Sequence, residues 1–104
     1  MIDIQLMSSG EISTELGARV RRRRLSLRMT QEEVAQRAGL SVGTVKNLET
    51  RMRASTFDSV VRISLALGLA DQFEHLFAAK PKSIAQMEQV AGAPRQRARR
   101  SRHP

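Results

Sequence analysis

The chain has 104 residues, enough for one small domain with a modest core and too few for two ordinary cores. Its 18 basic and 10 acidic residues give a formal charge of +8, which favours a polyanionic partner: nucleic acid, an acidic membrane surface or an acidic protein. The lack of cysteine excludes disulfides and thiolate metal sites, and no signal peptide or membrane-spanning run is visible. We therefore expect a soluble, cytoplasmic protein with no metal and no cofactor.

The basic residues cluster in two stretches that contain no acid. Residues 19–28 hold six arginines, and residues 92–104 hold five. Three interpretations of the first stretch are open: a free basic tag, a membrane or targeting signal, or part of a folded element. The spacing of the apolar residues around it distinguishes them.

Residues 1–11 are predicted to be an N-terminal arm. The first eight alternate apolar and polar residues around Ile2, Ile4 and Leu6, which is typical of a short strand. Because a lone strand is unstable, we expect this arm either to fray or to pair with a second copy of the chain.

The first helix is predicted from about Ser13. A helical stripe of apolar residues passes through the arginine run, namely Ile12, Leu16, Val20 and Leu27. The run therefore lies on a helix, with Arg19, Arg21 and Arg22 pointing away from the stripe. Arg24 lies at the edge of the stripe and needs a partner, because an unpaired charge facing a core is costly.

The next two helices have clear end signals. Thr30 and Glu33 form a capping-box signature for a helix over 31–38, and Gly39 ends it. Ser41 is the predicted N-cap of a third helix that extends to about residue 50. Its inward residues are predicted to be Val45 and Leu48.

Two further helices are predicted before residue 80. The fourth, over 57–67, is capped by Ser55 or Thr56, ends at Gly68 and is apolar enough to be mostly buried. Asp71 and Glu74 resemble a capping box for a short fifth helix.

The remaining residues are assigned from composition. Residues 12–79 then form the main domain, and residues 80–92 form a linker with a short amphipathic sixth helix. Residues 93–104 are interpreted as a disordered basic tail. Three roles are open for this tail: contact with DNA, docking on an acidic partner, or keeping the protein soluble.

The segment TQEEVAQRAGLSVGTVKNLE carries the functional signal. Ala35 allows close helix crossing, Gly39 makes the turn, and Val45 with Leu48 buries one side of the following helix. The segment resembles the helix-turn-helix of the Xre, or lambda-repressor-like, family of bacterial and phage DNA-binding proteins. The similarity extends over about residues 16–77, including LGARVRRRR before the motif and STFDSVVRISLALGL after it.

The resemblance implies an all-α, compact five-helix domain that inserts the helix after Ser41 into the DNA major groove. Gln31 matches the phosphate-gripping glutamine of the family, and a helix N-terminus favours an anion. The residues of this sequence expected to contact DNA are Gln31, Ser41, Val42, Gly43, Thr44, Lys46, Asn47, Arg51, Arg53 and Arg28.

The side chains suggest separate roles in that interface. Asn47 can read adenine, Thr44 and Val42 can touch a thymine methyl or a base edge, and Lys46 suits guanine or a phosphate. Gly43 departs from the polar residue common in the family, so part of the specificity is expected from DNA shape. The alternative is that Lys46 and Asn47 are solvated and that Val42 only packs on the turn.

The same resemblance supplies a partner for Arg24. In this family, an arginine near the end of the first helix pairs with the glutamate at the end of the helix that enters the major groove, here called the reading helix. That glutamate corresponds to Glu49 in this sequence. We therefore predict an ion pair between Arg24 and Glu49.

A twofold dimer is expected, because one domain reads only a few base pairs. The apolar residues assigned to a dimer or partner interface are Phe73, Leu76, Phe77, Ile84, Met87 and Val90. The layout from LGLADQFEHLF to the tail GAPRQRARR resembles Xre regulators encoded beside Hip-type kinase toxins. That resemblance implies a repressor of its own operon that also binds a kinase-like toxin, and the alternative is a stand-alone phage or mobile-element repressor.

An enzyme is the reading with least support. The sequence offers no Ser/His/Asp set, no catalytic carboxylate pair and no glycine-rich phosphate loop.

Overall fold

The computed structural model describes residues 3–79. These residues fall in two units that divide between Glu74 and His75, and the fold described here is that of the first. Its four α-helices are α1 (Ser9–Ser26), α2 (Gln31–Ala38), α3 (Val42–Thr50) and α4 (Phe57–Ala66). Three short 3-10 helices accompany them, at Ile4–Leu6, Met52–Ala54 and Ala70–Phe73. The described part of the chain is thus all-helical and has no strand, as the predicted fold class requires.

The N-terminus differs from its predicted form. Helix α1 begins at Ser9, about four residues before the predicted start, because Ser8 and Glu11 form a capping box. The Glu11 amide donates to Ser8 Oγ at 3.2 Å, and the Ser8 amide donates to Glu11 Oε1 at 2.9 Å. The apolar stripe used for the prediction starts only at Ile12 and so placed the helix start too late. The strand pattern before it forms a 3-10 turn, since no neighbouring strand in residues 3–79 is present to pair with it.

The central two helices have the predicted bounds. Thr30 and Glu33 form the predicted capping box at the start of α2. Gly39 ends α2 with φ +71°, in the left-handed region that glycine adopts without strain. Ser41 caps α3 by accepting a hydrogen bond from the Thr44 amide at 3.1 Å. These predictions are confirmed.

The core lies where α2, α3 and α4 meet the inner face of α1. Val34, Val45, Leu48 and Ile63 are fully buried, and Leu67 is nearly so. Helices α1 and α3 approach so closely that their backbones touch at Gly17. A Cβ atom on Gly17 would lie 2.7 Å from the Leu48 carbonyl oxygen and 2.8 Å from that of Glu49. This crossing therefore requires glycine.

Helix α4 is less buried than predicted. Thr56 caps it, as one of the two predicted candidates, and Ile63 and Leu67 reach the core. Phe57 and Leu65 are 61% and 55% exposed, so the prediction of a mostly buried helix is wrong. Total apolar content does not reveal which apolar residues of a helix face solvent, and these two lie about two helical turns apart on exposed positions of α4.

The predicted fifth helix is also wrong in the residues described. Ala70–Phe73 is a single 3-10 turn without a side-chain cap, and Asp71 makes no capping box with Glu74. The Glu74 amide instead donates to the backbone oxygen of Asp71 at 3.2 Å. One turn does not recover the cost of helix nucleation, so the capping signature alone was insufficient. The predicted sixth helix over 80–92 and the predicted basic tail over 93–104 lie outside the described residues.

Substitution by alanine is expected to have opposite effects on the free energy of unfolding at Gly17 and at Gly43. Gly17→Ala is expected to lower the free energy of unfolding by about 1 to 3 kcal/mol, because rigid backbone oxygens occupy the space of the new methyl group. Gly43→Ala meets only Ser41 Oγ, at 3.9 Å, and is expected to raise that free energy by up to about 1 kcal/mol through helix propensity. Urea unfolding followed by circular dichroism measures both. Equal effects of the two substitutions would contradict the close crossing of α1 and α3.

Candidate nucleic-acid interface

Helix α3 has one buried side and one exposed side. Val45, Leu48 and Glu49 face the interior, whereas most of the predicted DNA-contacting residues on and before this helix are exposed: Ser41, Val42, Gly43, Lys46 and Asn47. Thr44 is half-buried. The structure thus brings the predicted reading residues together on one continuous surface.

The first residues of this surface also hold the helix start. Ser41 Oγ accepts from the Thr44 amide and lies 2.9 Å from Thr44 Oγ1 in a hydroxyl–hydroxyl hydrogen bond. Both hydroxyls are therefore engaged within the protein, and Ser41 acts as the N-cap. Val42, Lys46 and Asn47 remain as the exposed side chains of α3 that are available to contact another molecule.

A buried ion pair anchors α3 to α1. Arg24 Nε donates to Glu49 Oε2 at 2.7 Å, and Arg24 Nη2 donates to Glu49 Oε1 at 3.0 Å. Only 8% and 2% of the two side chains are exposed. The structure therefore contains the pair that the sequence predicted, in a bidentate geometry. The hydrogen bond and charge of Glu49 raise the pKa of Arg24 above its ordinary value, despite the opposing effect of burial.

Two further hydrogen bonds complete this cluster. Arg24 Nη1 donates to the carbonyl oxygen of Met29 at 2.9 Å, which fixes the link between α1 and α2. Gln31 Nε2 donates to Glu49 Oε1 at 3.1 Å. Gln31 begins α2, so a single carboxylate ties α1, α2 and α3 together. The Gln31 amide retains a second hydrogen for another acceptor.

The arginines of residues 19–28 have different partners. Glu15 Oε2 accepts from Arg19 at 2.9 Å and from Arg22 at 3.4 Å, and both contacts lower the pKa of Glu15, that of Arg19 most strongly. Arg23 Nε donates to the Leu67 carbonyl oxygen at 2.9 Å.

Arg21 and Arg28 form no ion pair within residues 3–79. Arg28 is exposed between α1 and α2 and has φ +57°, a conformation that costs a non-glycine residue about 1 to 2 kcal/mol.

Arg51 and Arg53, two of the residues predicted to contact DNA, follow α3 and are exposed, with Arg53 in the 3-10 helix Met52–Ala54. Together with Glu11 and Glu15 they line an open hollow of about 690 Å³ beside the first turns of α1. A Cβ atom on Gly10 would lie 2.9 Å from Arg53 Nη1, so Arg53 reaches back over the start of α1. Arg51 and Arg53 are therefore solvent-accessible cations just after the end of α3.

One residue near α3 was missed by the sequence analysis, which placed Arg21 among the outward arginines. Arg21 lines a second hollow with Gln31, Gly43, Lys46, Asn47, Glu49 and Thr50. The signal was its spacing, four residues after Gly17 and three before Arg24, which puts all three on the α3-facing side of α1.

The fold and this surface define a helix-turn-helix DNA-binding domain of the kind that transcriptional regulators carry. A family model described as "Helix-turn-helix" matches residues 20–72, just over half of the chain. The chain belongs to this family, the Xre or lambda-repressor-like helix-turn-helix proteins. No curated protein matches the chain.

Among the helices of residues 3–79, none has both the length and the apolar character of a membrane span.

Removal of the Arg24 side chain should destabilise the domain. Arg24→Ala leaves the Glu49 carboxylate buried without its cation, so we expect the free energy of unfolding to fall by about 3 kcal/mol or more. Arg22→Ala removes the same charge from an exposed position and is expected to change stability little. Chemical unfolding measures both variants, and an Arg24→Ala protein as stable as Arg22→Ala would show that the pair does not hold α3.

Proposed function

We propose that the protein is a sequence-specific repressor that binds double-stranded DNA as a homodimer and reads the major groove with α3. The observation that carries this proposal is the division of α3 into a buried anchor and an exposed polar surface. Val45, Leu48 and Glu49 anchor the helix, and Lys46 and Asn47 project from the opposite side. A major groove admits an α-helix presented in this way.

The reading roles follow from which side chains are free. Asn47 has the donor and acceptor needed for a bidentate contact with adenine. Val42 is exposed and apolar, which suits the methyl group of thymine. Ser41 and Thr44 contribute by building the helix start, because their hydroxyls bond to each other.

Phosphate contacts surround these readers. Arg28, Arg51 and Arg53 are exposed cations in the loops on either side of the helix-turn-helix. Gln31 begins α2, where its remaining amide hydrogen and the helix N-terminus both favour an anion. We assign these four residues to the DNA backbone, where they set position and add affinity without reading sequence.

Dimerisation is supported by apolar residues on the surface of the first unit. The Phe73 ring packs edge-to-face on Phe57, with centroids 6.5 Å apart, and Phe57 and Leu65 remain exposed. Such a patch favours protein contact, and a twofold dimer places two reading helices on two half-sites. The assignment of Phe73, Leu76 and Phe77 to this interface stays a prediction. Ile84, Met87 and Val90 lie outside the described residues.

The biological role has two forms. In the first, the protein represses its own operon and also binds a kinase-like toxin, as the resemblance to Hip-associated regulators implies. In the second, it is a stand-alone repressor of a phage or mobile element. A kinase-like protein that copurifies with the chain from its native cells supports the first form, and its absence supports the second.

Selection of DNA from a random duplex library tests sequence-specific binding. We expect an inverted repeat with half-sites about 10 base pairs apart, centre to centre. In Asn47→Ala, preference at one position of each half-site should relax by about 1 to 3 kcal/mol. Gln72→Ala, an exposed change in the last 3-10 helix, should select the wild-type site. Recovery of no enriched sequence would contradict the proposed function.

Sedimentation equilibrium tests the dimer. Phe57→Ser removes an exposed ring from α4, so we expect the equilibrium to shift towards monomer. Leu25→Ser removes an exposed apolar side chain from α1 and should leave the dimer intact. A monomeric wild-type protein, or a Phe57→Ser protein that dimerises normally, would rule out this interface.

A further inference from the structure

A hollow of about 460 Å³ lies between α1 and the exposed surface of α3. Arg21 contributes from α1, Gln31 from α2, and Gly43 and Lys46 from α3. The side chains of Arg21, Gln31 and Lys46 can all donate hydrogen bonds, and two of them carry a positive charge. The hollow is therefore chemically suited to an anion.

Arg21 is directed towards this hollow by the crossing of α1 and α3. The helices touch at Gly17, where no side chain would fit, and are clamped by Arg24 and Glu49. Arg21 is one turn after Gly17 and just under one turn before Arg24, so it lies on the same side of α1. The packing of α1 therefore brings a cation beside the reading helix.

The acidic residue of the hollow does not cancel that charge. Glu49 accepts two hydrogen bonds from Arg24 and one from Gln31, so its carboxylate is already compensated. Arg19 and Arg22, in contrast, are both bound to Glu15. Arg21 and Lys46 form no ion pair in the part of the chain that the structure describes, which leaves a net positive field in the hollow.

Gly43 keeps the hollow open. A Cβ atom there would meet nothing closer than Ser41 Oγ at 3.9 Å, so the space in front of this position is empty of protein atoms. Gly43 lines the hollow together with Arg21 and Lys46, and no side chain from this position takes up its volume. The lack of a side chain at Gly43 therefore removes one base contact and also leaves the hollow open.

We propose that this hollow binds one phosphate of the DNA backbone, held by Arg21, Lys46 and the second amide hydrogen of Gln31. A helix in the major groove is flanked by sugar-phosphate strands, so cations beside α3 meet phosphate rather than bases. The proposal rests on the proposed function and adds α1 to the DNA-binding surface. It assigns Lys46 to phosphate, one of the two roles open to it from its chemistry.

Salt titration of Arg21→Gln tests this site. Binding is measured on two probes, the duplex selected by the wild-type protein and a mixed-sequence duplex of the same length. We expect the slope of log K against log salt to fall in magnitude by about 0.9, as for one lost phosphate contact, and affinity to fall by a similar factor on both probes. Arg21→Lys keeps the charge and should restore most of the slope.

Arg22→Gln is the matched control, because it removes the same charge one residue away from a side chain bound to Glu15. It should retain the wild-type slope. Arg21→Gln with the slope of Arg22→Gln would overturn the phosphate site and leave the proposed function standing. A loss confined to the selected duplex would also overturn it, since that result assigns Arg21 to a base. A wild-type protein that binds neither probe would overturn the proposed function itself, and this site with it.

Discussion

The buried pair of Arg24 and Glu49 is the interaction on which the position of the reading helix depends. Glu49 lies at the interior end of α3, and its carboxylate receives hydrogen bonds from α1 and from the first residue of α2. The close contact at Gly17 lies beside it, where α1 runs against the backbone of Leu48 and Glu49. Together they leave α3 one orientation in which its polar side faces outward.

A buried ion pair is not simply a source of stability, because desolvation of both charges offsets much of their attraction. Its specific contribution here is geometric. Two parallel hydrogen bonds fix the direction of the guanidinium plane as well as its distance, and the third donor, Nη1, fixes the chain at Met29. An apolar pair of equal volume would fill the space without setting the angle between α1 and α3.

The arginines of residues 19–28 divide into those with a partner within the protein and those without an ionic partner. Glu15 binds two of its arginines, the Leu67 carbonyl binds a third, and Glu49 binds a fourth. Arg21 lines the hollow beside α3, Arg28 is exposed between α1 and α2, and neither has an ionic partner in residues 3–79. The run looks like a uniform basic tag in the sequence. In the structure, four of its arginines contact the protein itself, and two are candidates to contact a ligand.

Local signals account for what the sequence predicted well. The capping residues Thr30 and Ser41, with Gly39 at the turn, place α2 and α3 because each acts on backbone groups within four residues. The exposure of Phe57 and the single turn at Ala70–Phe73 depend on packing between distant segments, which local patterns do not contain. The importance of Arg21 was missed because its spacing from Gly17 and Arg24 becomes informative only once these two residues are known to mark the crossing of α1 and α3.

Insertion of α3 into DNA is tested most directly by a map of the protein surface that DNA contacts. Amide chemical shifts of the ¹⁵N-labelled chain are recorded during titration with the selected duplex. We expect the largest changes over residues 41–47, with further changes at Arg21, Arg28 and Gln31, and small changes along the exposed face of α4. Largest changes on α4, with α3 unaffected, would contradict the claim that the clamped reading helix is the part of the protein that enters DNA.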